Sequence, residues 1–479
     1  MLDMGDVVAV PLPLGGYGAC QVTAAGEYLT VCTLDWRSDA VPALDELRAA
    51  GPLILDHHSW TGAPEVTNVA AADPLPAGFV RLGRLPPHPE LPRQCNSYGF
   101  WTGLGAQVVL QRRWDVDIPA AVKAAYKAAG RGKVAVDLGG PPLVRSTALS
   151  ALDLREHQGD IRWAGLDALP RLTTLSWAGP DRGLAEALRD RPLVSTLRWT
   201  DPPDEVDLSR THLTGLALHG SRPSRLVLPA GLMELSLLGG PPEMVVAGAD
   251  GRWIRLTSRC GVPSGLGGVR ELVLEVAGDL PGTALDGLDE LESLQVRWTG
   301  PYGGLPGVVT LPRLHSLELV DAYGVEVPAL PAPGGSLRHL SVNGLRSSRS
   351  KAIKQRYKDS DVVVEVRGAK SDRWLAANID NPLRDWVDDH QRGGAAACKA
   401  YAEAARAIAE LSADDPGAVA DARGVLKRFV EALNGIDERY EMIDTLRREE
   451  AGEVFFELAK RAGVPPAETR AWFDDWREF

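Results

Sequence analysis

The chain has 479 residues, 44% hydrophobic and 24% charged, with 50 Gly and 35 Pro. That composition is globular, neither disordered nor collagen-like, and the length leaves room for roughly three domains. Its 52 Lys+Arg against 64 Asp+Glu give a net charge of -12, which argues against a general nucleic-acid binder or a partner of anionic membranes. Cys20, Cys32, Cys95, Cys260 and Cys398 lie far apart without a C-x-x-C pair, so neither a disulfide scaffold nor a cysteine-rich zinc module is expected.

Met1–Asp6 carries no basic region leading into a long apolar run, and no stretch reaches the ~18 consecutive apolar residues of a membrane helix. The expectation is a cytoplasmic protein without membrane insertion. Arginine outnumbers lysine 42 to 10, a coding bias of GC-rich bacteria. Strand signals follow at Val7–Val10, Cys20–Val22, Tyr28–Leu34, Leu53–Leu55, Phe79–Leu82 and Gln107–Leu110, with turn residues such as Gly15-Gly16 and Ala25-Gly26 between them. They predict a small, strongly bent sheet or partial barrel over 1–115. The opening Gly5-Asp6-Val-Val-Ala-Val-Pro11-Leu, then Gly18-Ala-Cys-Gln21-Val22 and Phe79-Val-Arg-Leu-Gly83, resemble the immunity-26 family of bacterial polymorphic-toxin systems. The resemblance implies a β-rich module that binds and neutralises a protein toxin.

Residues 116–148 read as a capping helix and a first strand. Pro119–Ala129 is Ala-rich, with Pro at its start and Gly130 as its stop, and leads into Val134–Leu138. Beyond it the unit apolar-x-x-Leu-x-apolar recurs over 149–345. Its central leucines are Leu152, Leu175, Leu197, Leu216, Leu235, Leu272, Leu294, Leu317 and Leu340, with a degenerate copy at Trp253/Leu256. Alternation of this kind makes a short strand with one buried face, and stacked units make a parallel sheet that no single unit could form. The units resemble the leucine-rich repeat family, which implies a solenoid with a curved parallel sheet over 149–370. The Asn that the family places after the strand is mostly missing, and Asn343 is the nearest match. Segments such as Leu166–Leu169 and Leu285–Leu288 are expected to return the chain as short helical turns or irregular backbone. A helix from Lys351 and a strand at Val362–Val366 are expected to close the array.

From about 371 the period becomes helical. Tyr401, Ala405 and Ile408 form one run; Val419, Ala422, Leu426, Phe429, Val430 and Leu433 form a second; Tyr440, Ile443, Leu446, Val454, Phe455 and Leu458 form a third. Asp415-Pro416 reads as a helix start, Gly435 and Gly463 as stops, and Pro465-Pro466 opens a last helix with Trp472, Phe473 and Trp476. A small helical bundle over 371–479 is predicted, carrying 15 basic and 23 acidic side chains. The whole order resembles multidomain repeat proteins of actinobacteria, some with a gliding-motility label.

Chemistry-bearing residues are sparse. Asp56-His57-His58 is the densest group of possible ligands or bases, but adjacent strand residues point to opposite faces and no H-E-x-x-H accompanies them. Gly265-Leu-Gly-Gly-Val269 and Thr299–Gly304 lack a Walker A or dinucleotide pattern and read as turns. Arg346, Arg349, Lys351, Lys354, Arg356 and Lys358 form one basic run around Tyr357, expected as a solvated helix face. The strand face that alternates with the buried leucines is the stronger signal. Arg198, Glu234, Ser236, Arg255, Arg259, Glu271, Glu275, Gln295, Arg297, Glu318, His339 and Asn343 make it a concave surface of mixed charge for a macromolecule. Glu271 and Glu275, as exposed strand residues, are expected to govern association rather than folding.

The expectation is therefore an α/β multidomain, non-enzymatic binding protein whose partner is a toxin or another bacterial protein, with no catalytic, cofactor or metal residues. An intramolecular scaffold or signalling adaptor regulated by the acidic bundle is the alternative. A hydrolase with its site near Asp56, His57 and His58 is a further one.

Overall fold

The computed structural model describes residues 2–57, 62–71, 73–141, 143–259, 261–300, 303–305, 310–411 and 418–479. The first strands are β1 (Asp6–Pro11), β2 (Tyr17–Ala25), β3 (Tyr28–Ser38), the short pair β4 (Ile54–Leu55) and β5 (Ala63–Pro64), β6 (Val66–Ala70) and β7 (Val80–Arg84). Five of them form an antiparallel sheet in the order β6-β3-β2-β1-β7. The unbroken apolar run of β1 is explained by two cores, one on each face. Val8 and Val10 join Cys20, Val31 and Trp101, while Val7 joins Ala19, Cys32 and Leu85.

Gln107–Leu110, expected as a strand, lies inside helix α1 (Trp101–Arg112). A short apolar run cannot separate the two states. The helix wins because Trp101, Leu104, Gly105, Val108 and Val109 share one buried face at helical spacing. That face sits close to β1: a Cβ on Gly105 would lie 2.8 Å from the Pro11 carbonyl oxygen. Helix α2 (Ala120–Ala128) follows as expected. Val134–Leu138 corrects a second expectation. It supplies β8 (Lys133–Val136), which pairs with β9 (Leu143–Ser146) in an antiparallel hairpin apart from the parallel sheet.

Eleven strands build that sheet in chain order. They are β10 (Ala151–Asp153), β11 (Thr174–Ala178), β12 (Thr196–Thr200), β14 (Gly215–His219), β16 (Glu234–Leu237), β18 (Arg255–Ser258), β19 (Glu271–Val276), β20 (Ser293–Trp298), β21 (Ser316–Val320), β22 (His339–Asn343) and β23 (Val363–Arg367). The register places Leu152, Leu175, Leu197, Leu216, Leu235, Leu256, Leu272, Leu294, Leu317 and Leu340 side by side, all buried. The degenerate copy is thus in line with the rest. Two residues on, a second buried row runs from Trp177 and Trp199 to Leu319 and Val342. Its polar member, Ser258, donates its hydroxyl to the Gly261 carbonyl at 2.6 Å. The indoles of Trp177 and Trp199 donate to the carbonyls of Pro180 and Gly179. Each leucine so buried contributes about 1.5–3 kcal/mol.

The return segments are not all helical or irregular. Between the sheet strands, β13 (Glu205–Asp207), β15 (Arg225–Val227) and β17 (Met244–Val246) form a second parallel ladder with Val206, Leu226 and Val245 in register. Unit length explains it. Successive central leucines there are 19, 19 and 21 residues apart, so the return must run extended at about 3.3 Å per residue. The preceding units, 23 and 22 residues long, have chain to spare for a 3-10 turn at Trp163–Ala168 and helix α3 (Leu184–Arg189), which advance only about 1.5–2 Å per residue. The 16-residue unit from Leu256 to Leu272 closes on Gly265, at φ +89 with its missing Cβ 1.9 Å from the Val245 carbonyl oxygen. Gly265→Ala is expected to lower stability by about 2 kcal/mol or more. The check is the urea midpoint, and an unchanged midpoint would refute the close approach.

Contacts divide the chain into two compact units. One is Met1–Asn343 with Ala352–Val366; the other is Gly344–Lys351 with Arg367–Phe479. The antiparallel sheet and the parallel sheet therefore share a unit. Helix α4 (Ser347–Arg356) begins near the start of the second unit. That unit continues with α5 (Asp372–Asn378), α6 (Trp386–Asp389), α7 (Gln391–Ala409), α8 (Ala418–Tyr440), α9 (Thr445–Arg461) and α10 (Pro466–Trp476). Ile408, Leu426, Phe429, Val430, Phe455, Leu458 and Phe473 meet in one core. Trp472 stacks on Trp476 with ring centroids 5.6 Å apart, and Phe473 packs on Phe455 at 5.1 Å. Gly435 does not stop a helix; it lies inside α8, whose buried stripe continues past it to Ile436. A mid-helix glycine costs only about 1 kcal/mol, which that packing outweighs. Gly463, at φ +72, follows α9 as expected. Asp415-Pro416 lies outside the described residues. Among the described residues no helix is long and apolar enough to cross a membrane.

Candidate partner-binding surface

Side chains that alternate with the buried leucines stand in rows across the parallel sheet. Arg198, Glu234, Arg255, Arg259, Arg297 and Asn343 are exposed, whereas Glu271, Glu275, Gln295, Glu318 and His339 are half-buried. Sequence alternation treats all of these as open; the partial cover of Glu271 and His339 comes from the N-terminal residues of the same unit. Thr102, in the first turn of α1, donates its hydroxyl to the Glu271 carboxylate. The Nε2 of His339 lies 2.7 Å from Asp73 Oδ1. Glu271 therefore serves an intramolecular contact, contrary to the expectation that it acts in association alone.

Other polar groups fasten the same contact. The buried Arg270 guanidinium lies 3.6 Å from the buried Glu292 carboxylate and donates to the Ala77 carbonyl at 3.0 Å. Just past α1, Arg113 donates to the carbonyls of His212 at 2.6 Å and Pro192 at 2.5 Å, and burial pulls its pKa down to about 10. Around these, Met233 packs on Leu12, Leu53, Leu55, Val108 and Val109, and Leu193 packs on Trp114 and Ile118. Asp73, Thr102, Arg113, Arg270 and Glu292 escaped sequence reasoning. Each is an isolated polar residue outside any motif.

The open part of the face keeps mixed charge. Arg259 pairs with Glu275 at 3.0 Å, and Arg155 pairs with Asp153 at 2.6 Å. His219 is held below the ordinary imidazole range, first by burial and then by the nearby Arg259, Arg155 and Arg198. Arg198 and Arg297 have no ion-pair or hydrogen-bond partner among the described residues. Where the face meets the N-terminal residues, a cleft of about 240 Å³ opens. Arg255, Glu271, Gln295, Glu318 and His339 converge on it. Arg198, Arg259 and Arg297 lie apart from it.

The remaining candidates have local roles. Gln111 on α1 accepts from the backbone N–H of Asp56 at 2.9 Å and of His57 at 3.1 Å, and donates to Asp56 Oδ1 at 2.5 Å. His57 is buried, with Nε2 3.4 Å from Gln107 Oε1, and burial lowers its pKa. Asp56 and His57 thus fasten their loop to α1, while His58 lies outside the described residues. So do Cys260 and the Pro301-Tyr302 portion of the second Gly-rich stretch. In the basic run, Arg356 donates to the Leu330 carbonyl and Tyr357 to the Pro331 carbonyl at 2.6 Å, while Lys351, Lys354 and Lys358 are exposed. Among the described residues, no group of three or more His, Cys, Asp or Glu could hold a metal ion. No family model matches the chain, and no curated protein matches it in sequence.

Proposed function

We propose that the chain is a non-enzymatic, cytoplasmic protein-binding protein of a bacterium, built on a leucine-rich repeat solenoid. Its partner is a toxin or another bacterial protein, and the immunity-26 resemblance of the N-terminal residues favours a neutralising role. One observation carries this reading. Ten adjacent strands in common register hold a polar face on which Arg198 and Arg297 have no hydrogen-bond or ion-pair partner among the described residues. A broad sheet of uncommitted charge suits a macromolecule, because aligned charges govern approach and register of a partner.

Arg198→Glu with Arg297→Glu is expected to reduce partner binding by about 1–3 kcal/mol, roughly tenfold or more, with little change in thermal midpoint. A pull-down from the native host identifies the partner by mass spectrometry, and calorimetry then compares the variants. The control is Asp286→Lys with Asp289→Lys, two exposed residues of a return segment. Equal affinity of both double variants would discard the strand face.

A further inference from the structure

The cleft on the strand face has a floor and a roof of different chemistry. Strands β20 and β21 supply the floor, where Ser293 neighbours Ser316 and Gln295 neighbours Glu318 in register. Phe100, Trp101, Pro74 and Pro76 form the apolar side. A volume of about 240 Å³ falls short of the roughly 300–1,000 Å³ of a site for a drug-sized ligand. It suits one long side chain.

Charge selects which side chain. Of the carboxylates that line the cleft, Asp73 faces His339 and Glu292 faces Arg270. Arg255 stands in register between Glu234 and Glu271, three strands away from Glu318. Glu318, two strands beyond Glu271, has no hydrogen-bond or ion-pair partner among the described residues. His315, also on the wall, is held toward its neutral form by burial. The cleft therefore keeps an uncompensated negative charge beside three neutral acceptors, Gln295, Ser293 and Ser316. Phe100 is 62% exposed, which leaves a ring face available to a planar cation. Trp101 belongs to the same apolar side. It lines the cleft, is 2% exposed, and its indole N–H has no acceptor among the described residues.

We propose that this cleft receives an arginine side chain of the protein partner, an assignment that rests on the protein-binding reading above. The guanidinium fork meets the Glu318 carboxylate side-on, gives its remaining N–H groups to Gln295 and the serine hydroxyls, and lies against Phe100. Arginine fits better than lysine, because a planar fork matches a carboxylate bidentately and stacks on a ring.

Acetyl-Gly-Arg-Gly-amide titrated into the intact chain tests this, followed by calorimetry and by tryptophan emission. Saturable binding is expected with a dissociation constant in roughly the millimolar range. Binding should weaken about tenfold or more when citrulline replaces arginine, and equally in Glu318→Gln. Asp286→Ala should leave it unchanged, since the exposed Asp286 does not line the cleft. Absence of saturable binding, equal binding of the citrulline or lysine peptide, or full binding by a folded E318Q would each overturn the assignment. If a captured partner binds wild type and E318Q equally while the arginine peptide does not bind, the cleft assignment falls and the protein-binding reading stands. If the peptide binds as expected but its site is never competed by a captured protein, the assignment to a protein partner falls with that reading.

Discussion

Leu294→Asp is expected to abolish the cooperative unfolding transition of the unit that holds the parallel sheet. Leu294 is 1% exposed and lies in register between Leu272 and Leu317, both buried. Truncating such a leucine alone costs about 2–5 kcal/mol. An aspartate adds a carboxylate with no partner in that row, and an unpaired buried polar group costs several kcal/mol more. The sum rivals the roughly 5–15 kcal/mol that stabilises a typical domain. Circular dichroism should lose its sheet signal, and limited proteolysis should cut within 149–345. Wild-type resistance to protease would mean that the leucine row is not the core.

Glu292→Ala is expected to cost about 3–5 kcal/mol, because it leaves the Arg270 guanidinium buried and uncompensated. The two side chains are only 6% and 3% exposed. Burial already pulls the Arg270 pKa down, with Glu292 the main group opposing that shift. Ala77 is held from both sides, its carbonyl by Arg270 and its N–H 3.4 Å from Glu292 Oε1. The variant should therefore show a lower urea midpoint together with faster amide exchange around Ala77. Arg270→Met with Glu292→Leu should recover most of the loss, since an apolar pair of similar volume removes both desolvation penalties. If the single and double variants unfold together with wild type, the pair does not anchor the N-terminal residues to the sheet.

The repeat was legible in the sequence because its cause is local and periodic. Alternation over three residues sets which face of a strand is buried, and its return every 16 to 23 residues aligns Leu152 through Leu340 without knowledge of any distant contact. Even the weak copy at Leu256 falls into register, since its neighbours on both sides impose the ladder. The helical runs through Leu426 and Phe455 were readable for the same reason. By contrast, only the tertiary structure decided that Gln107–Leu110 is helical, that the short units carry a second ladder, and that Glu271 and His339 are partly covered. The cleft belongs to this second group. Thr102 and Glu271 are 169 residues apart, and Arg270 and Ala77 are 193 apart. Contacts across such separations leave no period in the chain, because they depend on where two independently formed surfaces meet.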